Sequence, residues 1–449
     1  MINRTTDMTE SFLYYLWENR LLTGTLTTTQ GIPVEIINPG FRNTDSGPDY
    51  REAKIKIGNQ IWAGQVEIHV KTTDWNRHGH QHDKAYRNVV LHVVFEHDQT
   101  VNEIPVLPLK GHFDESLYHH YERFVTAQRW IACERQINGV QPFTLNTWLE
   151  RMAIERLEDK AKSVERILMA NQFDWEDTLY RLLMRYLGMK VNNESFETLA
   201  SLLPFKTLLK HADQLTQVEA MLLGCAGFLN HPSQETYPLL LQREFNVMRA
   251  KFGLLMMPEE RWKFMRMRPV NFPTIRLAQL AQMIHLHGCL FSKITTAESA
   301  NEIKTLFDVK ASDYWDTHYR FVVPPNDVET PNYVETPYND VSTTDNTPKN
   351  NHKQPKRLGE GTADVLIINA VTPLLFCYGK FHKDETQCEK ALHFMEDLAA
   401  EDNTVIRHFQ AIGIKADNAM QSQAMLHLYN HYCRRKRCLE CSIGNVLLR

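Results

Sequence analysis

Residues 47 to 75 read GPDYREAKIKIGNQIWAGQVEIHVKTTDW, with Asp49 behind a Gly-Pro pair and Glu67, His69 and Lys71 at alternate positions further on. Side chains on a strand alternate between faces, so Trp62, Gly64, Val66, Ile68 and Val70 share one face and Gln65, Glu67, His69 and Lys71 the other. A hairpin turning near Gly58 and Asn59 would carry Asp49 towards Glu67 and His69. Two carboxylates held on rigid strands can share Mg²⁺ or Mn²⁺, hard ions that prefer oxygen and keep water for a hydrolytic step. A neighbouring His or Lys can orient or deprotonate that water, or neutralise charge developing on phosphate. The plainer reading of a polar strand face is that it meets solvent.

Three other sets could also do chemistry. His78, His80 and His82, beside Asp83, could join Glu67 and His69 in a Zn²⁺ or Mn²⁺ site, although a surface loop of unliganded histidines is the simpler account. His92 lies in an apolar run and reads as a core histidine bonded to backbone, with the same pocket as His69 as its other option. Arg266, Arg268 and Arg276 flank a Pro-containing turn near Trp262 and Phe272, a set suited to phosphate contact and base stacking, although arginines at such a junction more often bond carbonyls and carboxylates. Cys433, Cys438 and Cys441 have the close spacing that lets thiolates grip Zn²⁺ or an Fe–S cluster, with His431, Cys377 or Cys388 as a fourth ligand. Ordinary reduced cysteines at a helix end, beside the basic run at 434 to 437, are the alternative.

These residues need elements to position them. MTESFLYYLWENRLL predicts a helix capped by Thr9, with Phe12, Leu13, Leu16 and Trp17 on one face. Strands follow at IPVEIINPGF, YREAKIKIGN and IWAGQVEIHVKTT; HQHDKAYRN turns once or twice as helix, and VVLHVVFEH is apolar and β-branched enough for a buried strand. From about residue 141 long amphipathic helices take over, one carrying Trp148, Met152, Ile154 and Leu157. Residues 325 to 361 are rich in Pro, Asn, Thr and Asp, contain the near-repeats VETPNY and VETPYN, and read as a disordered linker or insertion.

The expected fold class is α+β: a mixed-sheet α/β domain at 1–120, a helical domain at 121–324, the linker at 325–361, and a C-terminal helical segment at 362–449 packed on the helical domain. At 449 residues with 43% hydrophobic and 23% charged content, core size is not limiting. The formal net charge of −4 means that a nucleic-acid partner would have to be met by a local basic groove. No apolar run looks long enough to cross a bilayer and the first residues lack a secretory pattern, so the expectation is a cytoplasmic chain with no membrane contact. No Gly-rich phosphate loop or serine nucleophile elbow is present in the sequence.

The order helix, three strands, short helix, strand over residues 8 to 98, with Pro48-Asp49 and Glu67-Ile68-His69, resembles the PD-(D/E)xK nuclease-like superfamily. The resemblance implies Asp49 and Glu67 as metal ligands, His69 or Lys71 as base or phosphate stabiliser, and an assisting carboxylate on the first helix, Glu10 in preference to Glu18. His69 stands where that motif usually has Lys, and Lys71 lies one pleat further on, which leaves room for a reshaped or lost activity. Over its full length the chain also resembles the domain-of-unknown-function family 2851, through GPDYREAKI, GQVEIHV, RMRPVNFPTIRLAQLA, IINAVTPLLF and YCRRKRCLECSIG; this implies a recurring architecture and no activity. The leading expectation is a metal-dependent nuclease or nuclease-like nucleic-acid-processing protein. The alternatives are a non-catalytic nucleic-acid-binding or scaffold protein that keeps the fold, and a small-molecule metallohydrolase built on the His-rich loop.

Overall fold

Thr9 takes an extended conformation before helix α1 (Glu10–Glu18), although its side chain makes no capping hydrogen bond. The helix buries Phe12, Leu13, Tyr15, Leu16 and Trp17, and the Trp17 indole donates to Pro39 O at 3.0 Å. The computed structural model describes residues 8–43, 45–100, 104–321 and 353–449; both VETP repeats and most of the expected linker lie outside them.

Six strands follow in a mixed sheet: β1 (Val34–Asn38), β2 (Phe41–Arg42), β3 (Tyr50–Ile57), β4 (Gln60–Lys71), β5 (Val89–Glu96) and β6 (Val106–Pro108). The order is β1-β3-β4-β5-β6, with β2 pairing with the start of β3. The β1–β3 and β3–β4 pairs are antiparallel, while β4–β5 and β5–β6 are parallel. The β3–β4 hairpin turns at Gly58-Asn59, as expected, with Ile57 opposite Gln60 and Gly58 at φ +60°. Parallel strands need a crossover. Here residues 72 to 88 supply it, as the short helix α2 (Asp74–Arg77) and two 3₁₀ turns at His80–His82 and Lys84–Asn88.

That crossover changes the expected environment of β4. Alternation alone put Glu67 and His69 on a face open to solvent, yet both are buried, at 4% and 2% exposure. The first residues of β4 are exposed, and Val66 to His69 are covered on both faces.

The chain divides into two compact units, one formed by Met1–Glu150, His408–Ile414 and Leu426–Arg449, the other by Arg151–Arg407 and Lys415–Met425. These do not follow the sequence boundaries at 120 and 362. Helix α3 (Glu115–Thr126) belongs to the first unit, and so does the chain from 426 onward, which was expected on the helical domain. Cys438, Leu439 and Leu448 share a core with Phe12, Leu16, Ile68 and Val93. Tyr15 Oη donates to Asn445 Oδ1 at 3.4 Å, and Arg449 to Asn19 Oδ1 at 2.6 Å.

The second unit is helical. One of its helical stretches, Glu360–His382, is long and apolar enough to cross a membrane by length and composition alone, a stretch the sequence count overlooked because Asn369, Thr372 and Pro373 interrupt the run. Its apolar window is 67% buried inside the structure, with Ile367, Ile368, Val371, Leu374 and Leu375 in the core of this unit.

Candidate metal centre

Asp49 enters the site because it sits just before β3, whose Tyr50 pairs with Val66 of β4. The two acids interlock through the backbone: Asp49 N–H donates to Glu67 Oε2 at 3.0 Å, and Ile68 N–H donates to Asp49 Oδ2 at 2.9 Å. Tyr14 of α1 donates its hydroxyl to Asp49 Oδ1 at 2.9 Å. Burial raises the Asp49 carboxyl above its usual range, against the pull of the Ile68 N–H and Tyr14. Glu67 is pushed up to about 8, by burial first and by the charge of Asp49 second.

The crossover delivers histidines onto these acids. Glu67 Oε1 lies 3.4 Å from His69 Nε2 and 3.2 Å from His80 Nε2, and His78 Nδ1 lies 3.1 Å from His69 Nε2. The ligand atoms of His69, His78 and His80 all fall within 4.8 Å of one another. His80 Nε2 is buried, and its 3.2 Å approach to Glu67 Oε1 lacks hydrogen-bond geometry, which leaves it without a hydrogen-bond partner. His92 on β5, opposite Glu67, holds the other face of His69 through a 2.9 Å contact between its Nε2 and His69 Nδ1. Trp75 and Tyr86 wall the imidazoles, Tyr86 stacking on His80 at 3.9 Å between ring centres. Burial and the neighbouring imidazoles push His69 down to about 2 and His92 down to about 4, so both rings are neutral and able to ligate or relay hydrogen bonds.

An ion bound tetrahedrally at about 2.0–2.2 Å would draw its ligands to about 3.3–3.6 Å from one another. The spacings around Glu67 Oε1 and His69 Nε2 are close to that, and the donor set of three imidazole nitrogens and one carboxylate suits Zn²⁺ or Mn²⁺ better than Mg²⁺.

Of the other residues expected in the site, Glu10 is half-buried and near Asp49, His78 and Asp74, with burial raising its carboxyl. Glu18 accepts from Tyr50 Oη at 2.9 Å and lies 4.0 Å from Arg42. Lys71 stops at the rim: it is exposed and lines an open cavity of about 420 Å³ with Glu10, Val70, Asp74, Arg77 and His78. His82 and Asp83 are exposed, Asp83 capping the turn that starts at Lys84. Tyr14 was missed by sequence reasoning, although its place one turn after Glu10 on α1 could have suggested it.

The arginine set does not assemble as expected. Arg266 and Arg268 are exposed, but Arg276 is buried with its guanidinium on Gln279, Asn271 and Thr362, and the Trp262 indole is buried, donating to Ala226 O. Cys433, Cys438 and Cys441 do gather, and Cys133 joins them within electrostatic reach. Cys377 and Cys388 lie in the other unit.

Residues 10–404 match the family described as protein of unknown function (DUF2851), a span that covers most of the chain. The chain belongs to the DUF2851 family. No curated protein and no solved structure matches this DUF2851 chain. The quoted segments GPDYREAKI and GQVEIHV, which carry Asp49, Glu67 and His69, fall inside the matched span.

Proposed function

We propose that the chain is a divalent-metal-dependent phosphodiesterase acting on nucleic acid, with the ion held by Glu67, His69, His78 and His80. One observation carries the reading: Glu67 Oε1 lies within 3.4 Å of two imidazole nitrogens, one of which, His80 Nε2, is buried without a hydrogen-bond partner. The element order and the Asp49/Glu67 pair support the nuclease-like resemblance, and they make the His-rich loop part of the same site.

When bound, an ion that expands beyond these four protein ligands to five or more positions would supply a water acidified to near neutrality and a Lewis acid for a phosphoryl oxygen. Glu67, His69, His78 and His80 would hold it. His92 orients the His69 ring, as outer partners of metal-bound histidines commonly do. Asp49, held by Tyr14 and the Ile68 N–H, is the carboxylate available to accept a proton from an attacking water. Lys71 and Arg77, on the rim of the open cavity, supply positive charge for a phosphate backbone. Exposure of His78 favours an extended substrate over an enclosed small molecule.

The test is cleavage of single- and double-stranded DNA and RNA by protein loaded with Mn²⁺ or Zn²⁺. Glu67→Gln and His80→Ala should each lower the rate by more than about 100-fold while the fold is kept. Equal rates in wild type and both variants would overturn the assignment. Stoichiometric metal binding without cleavage of any of these substrates would favour the scaffold reading.

A further inference from the structure

The C-terminal cysteines are arranged by a reversal of the chain. Cys433 ends a π-helical turn (Leu428–Cys433), Lys436 takes φ +54°, and the N–H groups of Lys436 and Arg437 return to Cys433 O and Tyr432 O. Cys438 then opens a 3₁₀ turn whose next cysteine, Cys441, donates its N–H to Cys438 O at 3.3 Å and precedes the final helix, Ser442–Leu448. Gly444 permits that close packing, since a Cβ there would meet Cys438 O at 2.2 Å.

The fourth thiol comes from far along the chain. Cys133 sits in a turn where Gln136 and Ile137 both donate to its carbonyl at 2.9 Å. Three residues before it, Trp130 stacks on Tyr429 at 5.0 Å between ring centres, docking this turn on the one that ends at Cys433. Cys438 and Cys441 are buried, and none of the four cysteines is in a disulfide. Burial pushes the Cys441 thiol up, while the backbone N–H groups of Gly444 and Ile443 and an interaction from the Trp148 side chain pull the other way. Arg434, Arg435 and Lys436 are exposed on the turn between Cys433 and Cys438.

We propose that Cys133, Cys433, Cys438 and Cys441 hold an iron–sulfur cluster, which fastens residues 426–449 to the sheet-containing unit. The separate turns that carry the four thiols suit a polynuclear centre. A single Zn²⁺ with Zn–S bonds of about 2.3 Å would draw its four sulfurs to about 3.8 Å from one another. Among the described residues, no three of these sulfurs fall within 4.8 Å of one another, whereas a cluster holds its four thiolates around several metal atoms and spreads them wider. Because such ligation contributes directly to folding, the cluster acts as a staple.

The experiment is iron, zinc and acid-labile sulfide analysis of full-length protein purified anaerobically, with its visible absorption spectrum. Wild type should carry iron and sulfide with a broad visible band, and chelation of the iron should lower its melting temperature. Cys133→Ser should lose the band, and Cys388→Ser, altered in the other unit, should keep it. Zinc in place of iron, metal-free folded protein with all four thiols titrating, or an undiminished cluster in Cys133→Ser would each overturn the proposal. The wild-type analysis decides the matter even if Cys133→Ser fails to fold.

Discussion

Glu67 is the residue on which the candidate chemistry turns, and its protonation gives two expected outcomes. The native carboxyl sits at about 8 against 4.5 in the unfolded chain, so the native state holds the proton more tightly. In metal-free protein that stabilisation is fully present below about 4.5 and is lost as pH rises through about 8. His69 and His92 act with the opposite sign: their depressed values favour the native state above the ordinary 6.5 and are lost as pH falls. Above 6.5 the Glu67 effect remains, so metal-free protein should lose stability between about pH 6.5 and 8, and Glu67→Gln should flatten that slope in thermal melts. Metal uptake should run the other way, tightening over the same interval as the ligand gives up its proton, readable as proton release by titration calorimetry. Of this site, the acids and His69 were legible in the sequence, because a short hairpin fixes which residues face one another. His78 and His80 were visible as a loop, but their arrival over β4 depends on how the crossover folds.

At the scale of elements, the site depends on β5 lying close beside β4. Gly64 marks where this contact begins: a Cβ there would meet Val90 Cγ1 at 2.4 Å and Asn88 O at 2.8 Å. Gly64→Ala should therefore destabilise the protein by about 1–3 kcal/mol, measured as a lower urea midpoint, and should weaken metal binding by moving His92 away from His69. Unchanged stability would mean that the strands can part at no cost. Helix α1 was predicted from its apolar spacing because a helix buried on one face writes that period into the sequence. Strands β2 and β6 were not, since two or three residues carry too little alternation to recognise. The polar face of β4 was recognised but its burial was not: period 2 separates two faces without saying what covers either.

At the scale of the whole molecule, the C-terminal residues are part of the first unit's core. Leu448 is 2% exposed, so Leu448→Ala should cost about 2–5 kcal/mol, as for other buried leucines, although residues near a chain end usually tolerate change. A melting temperature within a degree or so of wild type would show that this end contributes little to the core. Residues 362–407 and 415–425 lie in the helical unit and 408–414 and 426–449 in the first, a division that composition does not mark because no change in residue type accompanies it.

By itself the sequence determined the elements with strong periodicity, the α+β class, and the meeting of Asp49 with Glu67, each a consequence of local geometry or of a hairpin whose two-residue turn sets the register. Tertiary structure alone decided that Glu67 and His69 are buried, that Arg276 has its guanidinium inside the protein, and that Cys133 packs against the core that holds Cys438. The reason is physical. Those outcomes rest on side chains brought together across long loops, and the spacing of residues along the chain encodes no period for a contact of that kind.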